Sequence, residues 1–181
     1  MWEGGKKRLM RNELKIHLVK KAKNGDAKAF VKLCEGYQVV LYNAAYKLLQ
    51  NNEDVADCLQ ETEIRAWKQI VKLKDPSAFN TWIFRIMINV AKTILKKRVD
   101  MMAFEENDWS VEEKAYEGST LEEGLNRLPE KYKIPIILHY YAGFNIKEIA
   151  EQLNVPKNTI KTRLSRGRQK LKFLMEGEKN G

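Results

Sequence analysis

Apolar residues recur every three or four positions along most of this chain, the spacing of helices that bury one face. A first helix is predicted over about Glu13 to Lys23, ended by Asn24-Gly25, with Asp26 placed to cap the next. The second spans Ala27 to Leu49 and carries Phe30, Leu33, Val40, Leu41, Ala44, Ala45 and Leu48 as its apolar positions. Asn51-Asn52 breaks the pattern. A third helix follows from about Glu53 to Leu73, with Val55, Leu59, Ile64, Trp67, Ile70 and Val71 as its apolar set. Asp75-Pro76-Ser77 marks a loop, because the residue before proline is pushed out of the helical region. A fourth helix is expected from about Phe79 to Arg98, and the four would form a bundle.

Residues 99–120 lack clear periodicity and read as a linker. Helical patterning resumes at Leu121 to Leu128. Pro129-Glu130 opens a helix through Tyr141 in which Pro135 should cause a kink or shift the start. Gly143 ends it. Phe144 to Leu174 then reads as two helices joined by the turn Leu153-Asn154-Val155-Pro156. Asn154 tolerates a left-handed conformation, and Pro156 suits a first helical turn. Ile146, Ile149, Ala150 and Leu153 form one stripe; Ile160, Leu164 and Leu171 form the other. The expected fold is all-α, with two small helical domains at residues 1–98 and 121–181 joined by the linker.

Charge sharpens this division. Residues 1–98 hold 20 basic and 10 acidic side chains, residues 99–123 hold 1 and 9, and residues 124–181 hold 12 and 5. Two basic blocks flank an acidic spacer, which suits two polyanion-binding domains on a tether, since Lys and Arg release counterions from phosphates. The last long helix carries Lys157, Lys161, Arg163, Arg166, Arg168, Lys170 and Lys172 with no acid before Glu176. A helix-turn-helix with a basic second helix fits a DNA major groove. Lys157, Arg163 and Arg168 are its candidate phosphate contacts. A merely solvated basic face is the bland alternative.

The fourth helix offers a second nucleic-acid candidate. Trp82 and Phe84 lie among basic residues, as a single-strand site needs for stacking and phosphate neutralisation. They could equally be core, and periodicity favours core for Phe79, Ile83 and Ile86. Arg85, Asn89 and Lys92 share one polar helix face. On the third helix, Asp54, Asp57, Gln60 and Glu61 make an acidic face near the N-terminus. That face stabilises the helix by roughly 0.3–1 kcal/mol per charge, and it is also a candidate protein-docking surface.

These segments together resemble a known family. NGDAKAF (24–30), LYNAAYKLLQNNEDVADCLQETEIRAWKQI (41–70) and AFNTWIFRIMINVAK (78–92) look like region 2 of bacterial sigma factors. LPEKYKIPIILHYYAGFNIKEIAEQLNVPKNTIKTRLSRGRQKL (128–171) looks like region 4. With only a short linker between them, the layout resembles the extracytoplasmic-function (ECF) group. The resemblance implies that the chain binds core RNA polymerase, directs it to −35/−10 promoter DNA and helps open the −10 duplex. Asp57, Gln60 and Glu61 match polymerase-docking positions, with Asp54 beside them. The loop from about Lys72 to Ser77, including Lys74, matches the segment that captures a flipped −10 base, and Asn89 matches a −10 strand contact. Trp82, Arg85 and Lys92 extend that −10 set. Lys161, Thr162, Ser165 and Arg166 match the base-facing −35 positions, and their spacing puts them opposite Ile160 and Leu164. An anti-sigma factor is an implied partner.

Four residues depart from the family pattern. Glu63 stands where an aromatic or aliphatic residue is usual. Thr93 replaces a frequent acid. Lys161 gives a point charge where arginine would give a fork. Gly167 replaces an alanine inside the recognition helix, costing about 1 kcal/mol of propensity unless close packing or DNA approach requires it.

Catalysis finds little support. His17 and His139 are the only histidines, and neither belongs to a metal-spaced or nucleophile-spaced cluster. His139 and its tyrosine neighbours are expected to pack beneath the helix-turn-helix. A non-enzymatic factor without cofactor or metal is expected. Cys34 and Cys58 lie far apart and read as helix-core residues of a reducing compartment. No run of 18 apolar residues and no secretory signal core occurs, so the expected location is cytoplasmic. Met10 is an alternative initiator. A stand-alone helix-turn-helix regulator, its N-terminal bundle sensing or dimerising, is the competing reading; it has no use for the Asp57/Gln60/Glu61 face.

Overall fold

The structure, a computed structural model, describes residues 11–105 and 121–176, with side chains for 11–100 and 121–175. The candidate initiator Met10 and linker residues 106–120 lie outside the described residues. Every regular element among the described residues is helical.

Four helices build the N-terminal half: α1 (Asn12–Lys23), α2 (Ala27–Leu49), α3 (Asn52–Gln69) and α4 (Phe79–Glu105). Local capping sets their ends. Gly25 turns the chain after α1 with φ +89°, and the Asp26 carboxylate accepts from the Ala29 amide at 3.0 Å to start α2. Gln50 closes α2 in the left-handed region, and Asn51 caps α3 by accepting from the Asp54 amide at 2.9 Å. The helix expected to reach Leu73 stops at Gln69 and tightens into a 3-10 turn over Ile70–Lys72. A second such turn, Pro76–Ala78, leads into α4, which continues past Arg98 to Glu105 and so takes in the first residues of the expected linker.

The expected stripe of α3 needs correction. Val55 and Ile70 are buried, but Ile64, Trp67 and Val71 are exposed. The small side chains of Cys58, Thr62 and Ala66 carry the buried face instead, letting α3 pack closely on α2 and α4. Trp67 nonetheless covers Phe30, its ring centroid 5.1 Å away.

The C-terminal half comprises α5 (Leu121–Arg127), α6 (Glu130–Tyr140), α7 (Ile146–Leu153) and α8 (Lys157–Glu176). Pro135 sits inside α6 without ending it, buried among Ile134, Ile136 and Ile137. Asn145 and Glu148 close a reciprocal capping box at the start of α7, and Asn154 ends that helix at φ +52°, the left-handed turn expected there. Gly167 is explained by packing: a Cβ there would meet Ile136 Cδ1 at 2.8 Å and Tyr132 Cβ at 3.2 Å. The missing side chain lets α8 lie against α6.

The two halves share a seam. The Phe84 ring of α4 meets the Phe144 ring edge-on at 5.1 Å, both fully buried. Lys92 pairs with Glu130 at 2.8 Å, Lys47 with Glu122, and Lys133 reaches the Leu48 carbonyl at 3.5 Å. Burial lowers the Lys133 ammonium from its ordinary pKa.

Candidate nucleic-acid interface

On α8, every third or fourth residue is spent on the core: Ile160, Leu164 and Gly167 are buried. The remaining positions turn outward. Lys161, Thr162, Ser165 and Arg166 are all exposed, as helical spacing requires of residues opposite Ile160 and Leu164. Thr162 Oγ1 donates to the Asn158 carbonyl at 2.9 Å, which points its methyl group and remaining lone pairs outward. Lys157 begins the helix and is exposed. Arg163 is half-buried, and Arg168 donates to the Tyr140 hydroxyl at 3.2 Å. This is a convex, cationic helix edge carried by the Asn154 turn, with donors and a methyl group suited to base edges and flanking cations suited to phosphates. His139 is half-buried, its Nδ1–H donating to the Phe144 carbonyl at 2.9 Å, whereas Tyr140 stays 53% exposed.

The second candidate face lies on α4. Arg85, Asn89 and Lys92 are exposed along one side, while Phe79, Ile83, Phe84 and Ile86 are buried. Phe84 is therefore core and unavailable for stacking. Trp82 is half-buried, tilted against Phe79 at 5.7 Å. The two cations of this face are engaged by the other half of the molecule. Arg85 Nη2 donates to the Glu151 carbonyl at 3.0 Å, and Lys92 holds Glu130. With its amide oriented by its neighbours, buried Gln152 donates to the Thr81 carbonyl at 3.0 Å and accepts from the Arg85 amide at 3.2 Å. Beside this face, Lys72, Lys74 and Ser77 project outward from the segment between α3 and α4. The Asp75 carboxylate accepts from the Ser77 amide at 2.8 Å and hydroxyl at 2.7 Å, and these bonds hold its pKa below the ordinary value.

The acidic face of α3 is divided in use. Asp57 and Gln60 are exposed. Asp54 is paired with Arg98 of α4, and Glu61 pairs with Arg65 one turn on at 2.6 Å. No helix among the described residues is long and apolar enough to cross a membrane.

Residues 33–99 match the Sigma-70 region 2 family, and residues 119–171 match Sigma-70, region 4. The ECF RNA polymerase sigma factor SigW of Bacillus subtilis is 31% identical over 173 residues, spanning 85% of this chain and 92% of that protein. The chain belongs to the ECF sigma factors. The ECF RNA polymerase sigma-E factor of Haemophilus influenzae is 30% identical across 84% of this chain and 90% of its own. Among solved structures, CnrH in complex with the cytosolic domain of CnrY superposes with a TM-score of 0.72 at 24% identity, over 91% of this chain and 98% of that one. The sigma factor RpoE of Bartonella quintana, solved with the anti-sigma factor NepR, gives 0.65 at 22% identity, over 78% and 95%. This sigma factor is accordingly a transcription initiation factor of the sigma-70 family, and both helical domains recur in those structures.

Sequence reasoning missed the residues that join the halves. Phe144 and Gln152 carry no periodic signal that assigns them to another domain's surface. It also missed Lys15, for which a signal existed: Lys15, Leu18, Val19 and Ala22 form one buried stripe on α1, and a lysine in such a stripe needs a partner.

Proposed function

We propose that this sigma factor divides its work between residues 1–98 and 121–181. The N-terminal domain docks on core RNA polymerase through the exposed acidic face of α3, with Asp57 and Gln60 presented outward and Glu61 and Asp54 at its margin. Its α4 face and the 72–77 segment receive the opened −10 strand, with Lys72, Lys74, Ser77, Trp82, Arg85, Asn89 and Lys92 supplying cations, amide and aromatic surface. A base leaving its stack costs a few kcal/mol, which a shaped pocket must replace. The C-terminal domain reads the −35 duplex through Lys161, Thr162, Ser165 and Arg166, while Lys157, Arg163 and Arg168 meet phosphates. The protein supplies no bond-making chemistry; the polymerase does. It works in the cytoplasm and has an anti-sigma factor as partner, a reading supported by the two structural neighbours, CnrH solved with the cytosolic domain of CnrY and RpoE solved with the anti-sigma factor NepR.

The observation that carries this reading is the cationic edge of α8, on which Lys161, Thr162, Ser165 and Arg166 are all exposed, set behind a capped helix-turn-helix. Run-off transcription with sigma-free bacterial core polymerase on fragmented genomic DNA tests it. Discrete new 5′ ends that share −35 and −10 elements are expected. Folded protein that binds duplex DNA yet adds no start sites would overturn it and leave a stand-alone regulator.

A further inference from the structure

The segment between α3 and α4 is held from behind by α1. Lys23 Nζ donates to the Leu73 carbonyl at 2.6 Å, and Lys15 Nζ donates to the Ser77 carbonyl at 2.8 Å. Neither lysine makes a surface contact of the ordinary kind. Lys15 is only 9% exposed, standing in the apolar stripe with Leu18, Val19 and Ala22. Burying an ammonium is costly unless its donors are used, and the carbonyl of Ser77, with Asp75 and Glu148 contributing attraction, is what faces it.

The spacing fits the segment. The eight residue steps from Lys15 to Lys23 rise about 12 Å along α1, and the four steps from Leu73 to Ser77 span at most about 13 Å when extended. Two donors on one rigid helix thus pin both ends of this short stretch. Leu73 adds a buried side chain, and Asp75 fixes the remaining turn through Ser77. With the backbone fastened inward, Lys72, Lys74 and Ser77 are left facing solvent at fixed positions.

We infer that Lys15 and Lys23 are positioning residues for promoter selection: they hold the 72–77 backbone in the register in which it meets the captured −10 base. This rests on the reading of that segment as the −10 base pocket. Neither lysine touches DNA. They act by fixing where the pocket's groups stand, so their loss should blur base discrimination rather than remove polymerase binding.

The test uses the full chain with core polymerase and a promoter library randomised across the −10 element. Lys15→Met and Lys23→Met keep the apolar stems and remove the ammonium groups. Lys15→Arg and Lys23→Arg keep a donor. Ser77→Ala and Lys74→Ala alter the segment itself. The double methionine variant should lose about tenfold in discrimination at one −10 position, with −35 preference and core-polymerase affinity unchanged. The arginine variants should recover most of it. An unchanged −10 profile in the methionine variants, or a uniform fall across all promoters, overturns the inference when the Ser77 or Lys74 variant does shift the profile. If those segment variants shift nothing either, the base-pocket reading has failed and takes the inference with it. Should Lys15→Met unfold, the half-buried Lys23→Met alone decides, since it must still shift that one position.

Discussion

Arg85 of α4 donates to the main-chain carbonyl of Glu151 at 3.0 Å, so a side chain expected to meet promoter DNA is satisfied by the protein's own recognition domain. Lys92, on the same face, is likewise paired with Glu130. Both side chains are thus engaged by the C-terminal half, and parting the halves would free them for another partner. Exposed ion pairs contribute about 0.2–1 kcal/mol each, so a charge change on the seam should shift the balance measurably. Glu122→Lys with Glu130→Lys places lysines opposite Lys47 and Lys92. A lengthened distance between dyes on α3 and α8, read by single-molecule energy transfer in the free protein, is expected; an unchanged distance distribution would show that these pairs do not govern closure.

The recognition edge of α8 should separate into two kinds of residue. Arg166→Ala and Lys161→Ala are expected to cost ~1–3 kcal/mol each at a cognate −35 element and to relax selectivity there. Lys157→Ala should weaken binding uniformly and lower the salt slope by about one. Fluorescence anisotropy across a salt series with cognate and scrambled duplexes distinguishes these outcomes.

Gly167→Ala provides a packing test with opposing terms. Helix propensity favours alanine by about 1 kcal/mol. The new methyl group would meet Ile136 Cδ1 at 2.8 Å, and overpacking costs about 1–3 kcal/mol. Net destabilisation in chemical denaturation is expected, with partial recovery in Gly167→Ala/Ile136→Val, which removes the offending carbon. A stabilised single variant would contradict the tight α6–α8 approach.

Two neighbouring acids on α3 should behave differently. Asp54 is engaged with Arg98, whereas Asp57 faces solvent. Asp57→Lys should weaken polymerase binding at least tenfold with an unchanged melting temperature, while Asp54→Asn should lower the melting temperature. Thermal melts and a pull-down of core polymerase measure the two separately.

The cysteines should be inert in the folded protein. Burial pushes the Cys34 thiol from 9.0 to about 12 and the Cys58 thiol from 9.0 to about 11. At pH 8 both are protonated, and a thiol reagent should count none until denaturant exposes two. Because the unfolded thiols ionise first, these groups also make stability fall as pH rises from about 9 towards 12. Rapid labelling of the native protein at pH 8 would contradict this.

The helices, two of their turn and cap residues and the partner class could be read from the chain alone. Asp26 and Asn154 act through neighbours within a few residues, and the α8 face follows from helical periodicity around Ile160 and Leu164, so both were legible in one dimension, whereas Asn51 read only as a break and acts as the α3 cap. Ile64, Trp67 and Val71 misled, because periodicity reports which residues could be buried and not which face the neighbouring helices cover. The tertiary structure alone decided that Cys58, Thr62 and Ala66 line the close α3 packing, that Phe84 meets Phe144, that Arg85 is held by Glu151, and that Gly167 is required by Ile136. These pairs lie far apart in sequence or on different helices. Their contacts depend on how rigid elements approach in three dimensions, which no local pattern encodes.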